Sequence, residues 1–110
     1  MLILPIKRKW FNMIKNGEKT EEYREIKPYW TDRFFNPKNG LRKTIFFNDC
    51  SLKNGRAFLR GKIIFRNGYE KTSPQFIAEV LIRIRTGKKK WGAEPKKKYY
   101  VLEILKVEGQ

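Results

Sequence analysis

The chain contains no histidine and only one cysteine, Cys50, and these two shortages narrow the chemistry that it can perform. A single cysteine cannot form an internal disulfide, so the chain fits a reducing compartment and we expect it in the cytoplasm. Without histidine, Cys50 lacks the base that usually activates a thiol nucleophile. A zinc site would likewise depend on one thiol and scattered carboxylates. We therefore expect neither a metal nor a cofactor.

The sequence also lacks a long hydrophobic run. Residues 1–6 are apolar, but this stretch is far shorter than a signal-peptide core or a membrane span, and the basic residues 7–9 follow it instead of preceding it. We interpret it as a first β-strand and expect no membrane association. At 110 residues the chain is most simply one domain, residues 1–110, which we expect to be a monomer.

Acidic residues are few: 11 Asp and Glu stand against 26 Lys and Arg, which gives a formal net charge of +15 and a pI of about 10.2. Such a charge attracts polyanions, so nucleic acid is the expected partner. The excess is uneven, because residues 1–36 carry a net charge of +3 and residues 37–110 carry +12. We expect a locally balanced pocket in the first part and a basic surface for a phosphate backbone in the second.

Apolar residues recur at three- and four-residue spacings within residues 7–16, which predicts a short amphipathic helix. Gly17 follows at the position where a left-handed residue commonly ends a helix, so the chain can turn sharply into a strand. Pro28 suits the first turn of a second short helix, which should end before Asn36. Both helices are therefore expected near the N-terminus.

A strand after Gly17 would place Glu22 and Arg24 on the same face, where they can pair. Lys19 lies at the turn before this strand and can reach the same pair, while Thr20 shares their face. Arginine offers a planar fork to a phosphate, a carboxylate or a base edge, and glutamate can accept a hydrogen bond from an exocyclic amine. The alternative is a solvated strand whose surface ion pair contributes little stability.

The residues Gly17, Lys19, Glu22 and Arg24 form a Gly-x-Lys-x-x-Glu-x-Arg motif, preceded by the apolar helix and followed by Lys27-Pro28-Tyr29-Trp30. Over residues 3–34 this arrangement resembles the ASCH domain, a branch of the PUA-like superfamily. The resemblance implies a small mixed β-barrel with two short helices near the N-terminus and a ligand cleft between the barrel and the helices. It also implies association with RNA or a nucleotide ligand.

The same resemblance implies an alternative function as a hydrolase. Some small ASCH proteins resemble amidohydrolases that deacylate N4-acetylcytidine, and ribonuclease activity is associated with the family. In such an enzyme Lys19 and Glu22 would be the catalytic residues. The threonine of that enzyme group lies two residues before the motif arginine, where this chain has Glu22, and Thr20 is one step removed. Burial would have to lower the pKa of Lys19 before its amine could act as a nucleophile near pH 7.

Beyond the motif, β-branched and aromatic residues predict strands over residues 44–48, 58–65, 76–85 and 99–107. Turns are expected at residues 38–40, 49–55 and 67–68, and Gly61 suggests a bulge or a barrel corner. Together with the two helices, these strands predict an α+β fold built as a small, partly closed mixed β-barrel.

A second candidate for binding is a segment that places an aromatic ring beside a block of cations. Cationic side chains bind the phosphates of a nucleic-acid backbone, and an aromatic ring stacks on a base. The candidates are Arg83, Arg85, Lys88, Lys89, Lys90 and Trp91, while Tyr29 and Trp30 could form a wall of the motif's cleft. The alternatives are a solvated loop with Trp91 folded onto the core and, for the whole protein, an accessory role in binding an acidic protein.

Overall fold

Two α-helices and six strands make up residues 1–43 and 57–108, the part of the chain that the computed structural model describes. The elements are β1 (Ile3–Pro5), α1 (Arg8–Lys15), β2 (Glu21–Arg24), α2 (Pro28–Phe35), β3 (Leu41–Lys43), β4 (Ala57–Arg66), β5 (Gln75–Thr86) and β6 (Lys98–Glu108), with a 3-10 turn at Lys89–Trp91. Both helices form where their sequence patterns predict them, and Pro28 occupies the first turn of α2.

The strands form one mixed sheet in the order β1-β4-β5-β6-β2. β1 runs parallel to β4, whereas all the other pairs are antiparallel. β3 pairs with the first half of β4, along the same edge that β1 occupies further on. The sheet curls into a half-barrel, which confirms the predicted α+β class and the two helices near the N-terminus.

The core lies between the concave face of the sheet and the two helices. Alternate residues of the strands point inward and are fully buried, as Ile63, Val80 and Leu102 show. α1 adds Phe11, whose ring centre lies 4.9 Å from that of Phe76, and α2 adds Phe34, whose ring centre lies 5.2 Å from that of Tyr100. Both helices therefore pack against the inward face of the sheet.

Gly17 turns the chain from α1 into β2, as its sequence position predicts. Its φ of +87° is left-handed, and its amide donates to the carbonyl of Ile14 at 3.2 Å. The amide of Lys19 then donates back to the carbonyl of Met13 at 3.0 Å. Lys19 is thereby held against the end of the helix before β2 begins.

The later part of the sheet consists of the long strands β4, β5 and β6. The predicted strand 44–48 and loop 49–55 lie outside the described residues, whereas β4, β5 and β6 contain the other three predicted strands. The irregularity of β4 lies between Ala57 and Leu59, and Gly61 keeps a regular register with Val80. Gly61 is needed for another reason, because a Cβ there would clash with the carbonyl oxygen of Gly40.

Candidate functional site

A cleft of about 660 Å³ opens between the two edge strands of the sheet, where the half-barrel does not close. The end of β1, the strand β2, both helices, the β4–β5 turn and the loop before β6 all contribute to it. The residues that line it are Pro5, Ile6, Lys7, Trp10, Glu22, Tyr23, Arg24, Glu25, Lys27, Trp30, Asn67, Gly68, Tyr69, Trp91, Gly92, Glu94, Lys97 and Tyr99. We call this site the cleft.

Arg24 links the two sides of the cleft. Its Nη1 donates to Glu22 Oε2 at 2.8 Å and to the carbonyl of Tyr23 at 2.8 Å. Its Nη2 reaches across to β1 and donates to the carbonyl of Pro5 at 3.0 Å. The guanidinium also lies 5.1 Å from the ring centre of Trp30. The pair of Glu22 and Arg24 predicted from strand parity is therefore present, and it also connects two edge strands that do not pair with each other.

Lys19 is the second cation that pairs with Glu22, and together Lys19, Glu22 and Arg24 form a charged cluster. Its ammonium forms an ion pair with Glu22 Oε1 and lies 4.3 Å from the ring centre of Trp10. Only 1% of the residue is exposed, and it does not line the cleft. Burial lowers the pKa of Lys19, and this effect prevails over the opposing attraction of Glu22. Each oxygen of the Glu22 carboxylate thus faces one cation.

All three tryptophans of the chain line the cleft, one from each of three separate elements. Trp10 comes from α1, Trp30 from α2 and Trp91 from the 3-10 turn. Trp91 is only 5% exposed, so its ring is packed into the protein at the border of the cleft, and the ammonium groups of Lys88 and Lys90 lie 4.8 and 4.6 Å from its ring centre. The cleft therefore combines aromatic walls with the charged cluster at its base.

Two tyrosines hold the loop of residues 87–97 that carries Trp91. The hydroxyl of Tyr23 accepts a hydrogen bond from the amide of Lys88 at 2.9 Å and donates to Glu21 Oε1 at 2.8 Å. The hydroxyl of Tyr99 accepts from the amide of Glu94 at 2.9 Å. Burial is the main cause that raises the pKa of Tyr23 above its ordinary value. These contacts position loop 87–97 as one wall of the cleft.

Comparisons with known proteins add nothing to this geometry. No family model, curated protein or solved structure matches the chain. The function of the cleft therefore has to be inferred from its own side chains, and the resemblance to the ASCH domain stays a hypothesis.

Arg83 and Arg85 point away from the cleft and join an ion network on the convex face of the sheet. Arg83 Nε lies 2.7 Å from Glu103 Oε1, and Arg85 Nη2 lies 2.8 Å from the same oxygen. Arg85 also pairs with Glu21 on β2. The sequence pattern indicated a cationic face here. In the structure, Glu103 on the neighbouring strand β6 faces both guanidinium groups.

The predicted site residues thus fall into two groups. Those that line the cleft are Glu22, Arg24, Trp30 and Trp91. Those that do not are Lys19, Thr20, Tyr29, Arg83, Arg85, Lys88, Lys89 and Lys90. Thr20 and the three lysines are exposed, and Tyr29 is 50% exposed on α2 beside Trp30.

Sequence reasoning missed several residues of the cleft, chiefly Trp10, Tyr69 and Lys97. The apolar spacing of α1 predicts that Trp10 packs on the core, although the basic residues 7–9 directly before it indicate that it borders a polar site. Tyr69 is 87% exposed in the β4–β5 turn, and an aromatic residue directly after Asn67-Gly68 was the available sign. Lys97 reaches the cleft only through tertiary packing.

The described residues show neither a metal-binding group nor a membrane-spanning helix. In residues 1–43 and 57–108, no group of three or more His, Cys, Asp or Glu side chains is arranged to hold a metal ion. Neither α1 nor α2 has the length and apolar character that crossing a membrane requires, and no other helix in these ranges does.

Proposed function

We propose that this protein binds RNA and that the cleft accepts one unstacked nucleotide of the strand. The observation that carries the proposal is that all three tryptophans line one cleft together with the ion pair of Glu22 and Arg24, and that Trp10 and Trp30 are only partly buried there. Aromatic rings stack on bases of any identity, and such stacking is typical of proteins that bind single strands. A purely structural cluster would not need a cleft between its rings.

The dimensions and polar groups of the cleft also fit a nucleotide. Its volume of about 660 Å³ lies within the roughly 300–1,000 Å³ range of small-molecule sites. Glu22 uses each oxygen once, towards Lys19 and towards Arg24, and a carboxylate oxygen can accept more than one hydrogen bond. Glu22 therefore remains an acceptor for the exocyclic amine of a base such as cytosine or adenine.

The charge distribution favours a nucleotide within a strand over a free nucleoside. Lys7, Lys27 and Lys97 lie on the rim of the cleft, and the exposed lysines of residues 88–90 follow the wall outward. These cations are suited to phosphates on both sides of the bound nucleotide. The formal net charge of +15 supports the same partner.

The assignment to the ASCH domain and to the PUA-like barrels is part of this proposal. It is supported by the half-barrel with two early helices and by the position of the motif residues, three of which cluster at the base of the cleft. The preference for RNA over DNA rests on this resemblance, because charge does not distinguish the two. Parallel titrations with RNA and DNA of the same sequence test it directly.

A hydrolase that uses Lys19 is the second candidate, and one observation favours it. Burial lowers the pKa of Lys19, as a nucleophilic amine requires. Against it, the ammonium is buried beneath Trp10 and is bound to Glu22, so a substrate in the cleft would not reach it without rearrangement. We therefore assign Lys19 the role of positioning Glu22. Hydrolysis of N4-acetylcytidine or single-stranded RNA by the wild type, lost in Lys19→Met, would overturn this choice.

Intrinsic tryptophan fluorescence tests the binding proposal, since every tryptophan lines the cleft. Titration with short single-stranded RNA should quench the emission. Trp30→Leu should weaken binding roughly 5- to 150-fold, the range that corresponds to one lost base stack. Tyr29→Leu is the matched control, because Tyr29 is the neighbouring aromatic residue on α2 and does not line the cleft.

The affinity of each variant is best measured with labelled RNA, so that the loss of a fluorophore does not affect the readout. Thermal unfolding of both variants shows whether the cleft is intact. If folded Trp30→Leu binds RNA as tightly as Tyr29→Leu and the wild type, the cleft does not hold a base and the proposal fails.

A further inference from the structure

A second concave surface lies at the β3–β4 edge of the sheet, apart from the cleft. It encloses about 480 Å³ and is lined by Met1, Lys38, Gly40, Arg42, Arg60, Gly61, Lys62 and Glu79. We call it the β3–β4 groove. Four of its side chains are cationic and one is acidic, whereas the cleft has four cationic and three acidic side chains. The groove therefore has the larger positive net charge.

The register of the two strands brings like charges together in this groove. Arg42 on β3 lies directly opposite Arg60 on β4. Like charges in directly opposite cross-strand positions destabilise a sheet. Lys62 is on the same face of β4 as Arg60, two residues further on, and adds a third cation. A surface selected for stability alone would place a carboxylate at one of these positions.

The available carboxylates compensate for only part of this charge. Arg60 donates to Glu79 Oε1 at 2.9 and 3.1 Å, and Lys62 lies 2.8 Å from Glu108 Oε1. Both cations are about half exposed, so these ion pairs are weak and can open to a competing anion. Within residues 1–43 and 57–108, no carboxylate forms an ion pair with Lys38 or Arg42.

Two backbone segments approach closely beneath these side chains, and hydrogen bonds from Asn39 hold one of them in place. Gly40 and Gly61 face each other without side chains, and a Cβ on Gly61 would clash with the carbonyl oxygen of Gly40. Asn39 is buried, its Oδ1 accepts from the amide of Leu41 at 2.6 Å, and its Nδ2 donates to the carbonyl of Phe34 at 2.6 Å. The start of β3 is thereby attached to the end of α2, which sets the position of Arg42.

We propose that the β3–β4 groove binds backbone phosphates of the RNA strand whose nucleotide occupies the cleft. This inference rests on the proposed function and extends it to a second contact surface. Asn67 in the cleft follows Gly61 in the groove by six positions, with five residues of β4 between them, a distance of about 20 Å along the strand. A single strand of several nucleotides can span both sites, and its phosphates would relieve the repulsion between Arg42 and Arg60.

The test compares two RNA probes and two double variants. Lys38→Gln with Arg42→Gln removes the two groove cations that form no ion pair among the described residues. Arg8→Gln with Lys15→Gln removes the same charge from the exposed face of α1, which lines neither site. The probes are a nucleoside monophosphate, which offers a base to the cleft but is too short to span both sites, and a single-stranded RNA of about 12 nucleotides, within the range that one small domain covers. Affinities are measured across a salt series.

The groove variant should bind the longer RNA more weakly, and its slope of log affinity against log salt should be shallower by about 0.7 for each lost phosphate contact. Its affinity for the monophosphate should equal that of the wild type. The control variant should keep the wild-type slope. Equal slopes for the groove variant and the control would overturn the inference, even if the monophosphate still binds.

The two proposals can fail separately. If the monophosphate does not bind and Trp30→Leu has no effect, while the groove variant still flattens the salt slope for the longer RNA, the cleft proposal is wrong, and the groove binds phosphates of a strand that does not enter the cleft. If the monophosphate binds and the groove variant leaves the slope unchanged, the groove proposal is wrong and the cleft proposal stands.

Discussion

Arg24 on β2 donates a hydrogen bond to the carbonyl of Pro5 on β1 at 3.0 Å, so one side chain joins the two edge strands of an open sheet. The same guanidinium holds Glu22 at the base of the cleft. Closure of the half-barrel and construction of the candidate binding site therefore depend on one residue. A substitution at this position should affect stability and binding together.

Arg24→Lys should lower the free energy of unfolding by about 1–3 kcal/mol. Lysine keeps the charge towards Glu22 but lacks the planar fork that also reaches the carbonyls of Tyr23 and Pro5. Arg33→Lys is the matched control, because Arg33 is exposed on α2 and its side chain makes two contacts within that helix: it donates to the carbonyl of Tyr29, and its guanidinium lies 3.4 Å from the ring centre of Tyr29. The control should change stability by no more than about 0.5 kcal/mol. Urea denaturation measures the free energy of unfolding of both variants. Equally small changes in the two would show that the hydrogen bond from Arg24 to Pro5 contributes little to stability.

Tyr23→Phe should destabilise the protein by about 1–3 kcal/mol at neutral pH, because Glu21 and the amide of Lys88 each lose a partner. The difference between wild type and variant should shrink as the pH rises above about 10. The pKa of Tyr23 is raised in the folded protein, so the unfolded chain loses the phenol proton first and is favoured at high pH. Urea denaturation from pH 7 to alkaline pH measures this difference. A constant difference would mean that the pKa of Tyr23 is not raised.

Periodicity predicted both helices and five of the six strands described, because each of these elements buries one face, whereas β3 at Leu41–Lys43 was not predicted. The apolar spacing of α1 and the alternation along β5 are local patterns that a single sequence displays. The order of the strands was not predictable in this way. That β1 pairs with β4, and that β2 lies at the far edge beside β6, depends on long-range contacts that leave no local signature.

The candidate site was predictable where its residues are close in sequence and not where distant segments meet. Strand parity placed Glu22 beside Arg24, and the turn at Gly17 brought Lys19 to them. The sequence could not show that Trp10 and Tyr69 line the same cleft, because they belong to segments almost sixty residues apart. It also did not reveal that Arg83 and Arg85 face carboxylates, since Glu103 approaches them from another strand.

Gly87→Ala should disturb the wall of the cleft. A Cβ at this position would lie 2.6 Å from Tyr23 Cε1 and 2.7 Å from the Cβ of Ala93, so loop 87–97 would have to move. We expect a loss of about 1–3 kcal/mol in stability, a shifted tryptophan emission from Trp91 and weaker RNA binding.

Gly17→Ala separates this effect from simple backbone strain. Gly17 has a φ of +87° and no atom near the position of a Cβ, so alanine there costs about 1–2 kcal/mol through its conformation alone. Its tryptophan emission should remain that of the wild type. Identical emission spectra for the two variants would contradict the role of Gly87 in seating the loop.

Replacing Lys88, Lys89 and Lys90 together by glutamine should flatten the dependence of RNA affinity on salt. Each contact to a single-strand phosphate contributes about 0.7 to the slope of log affinity against log salt. All three lysines are exposed beside the cleft wall, which leaves them able to reach a backbone. The same three positions changed to arginine keep the charge and should retain the wild-type slope. A glutamine variant with an unchanged slope would show that this segment does not contact RNA.

Lys19→Met tests whether burial destabilises the charged form of Lys19, as its lowered pKa indicates. Folding lowers this pKa below the ordinary value of 10.5, so between the two values the unfolded chain binds more protons than the folded one. The wild type should therefore gain stability relative to Lys19→Met as the pH rises towards 10.5, by at most about 1.4 kcal/mol per pH unit. Urea denaturation of both proteins at several pH values gives the difference. If it falls with rising pH, the attraction of Glu22 prevails over burial, and Lys19 is a fully charged partner of Glu22 with no reason to act as a nucleophile.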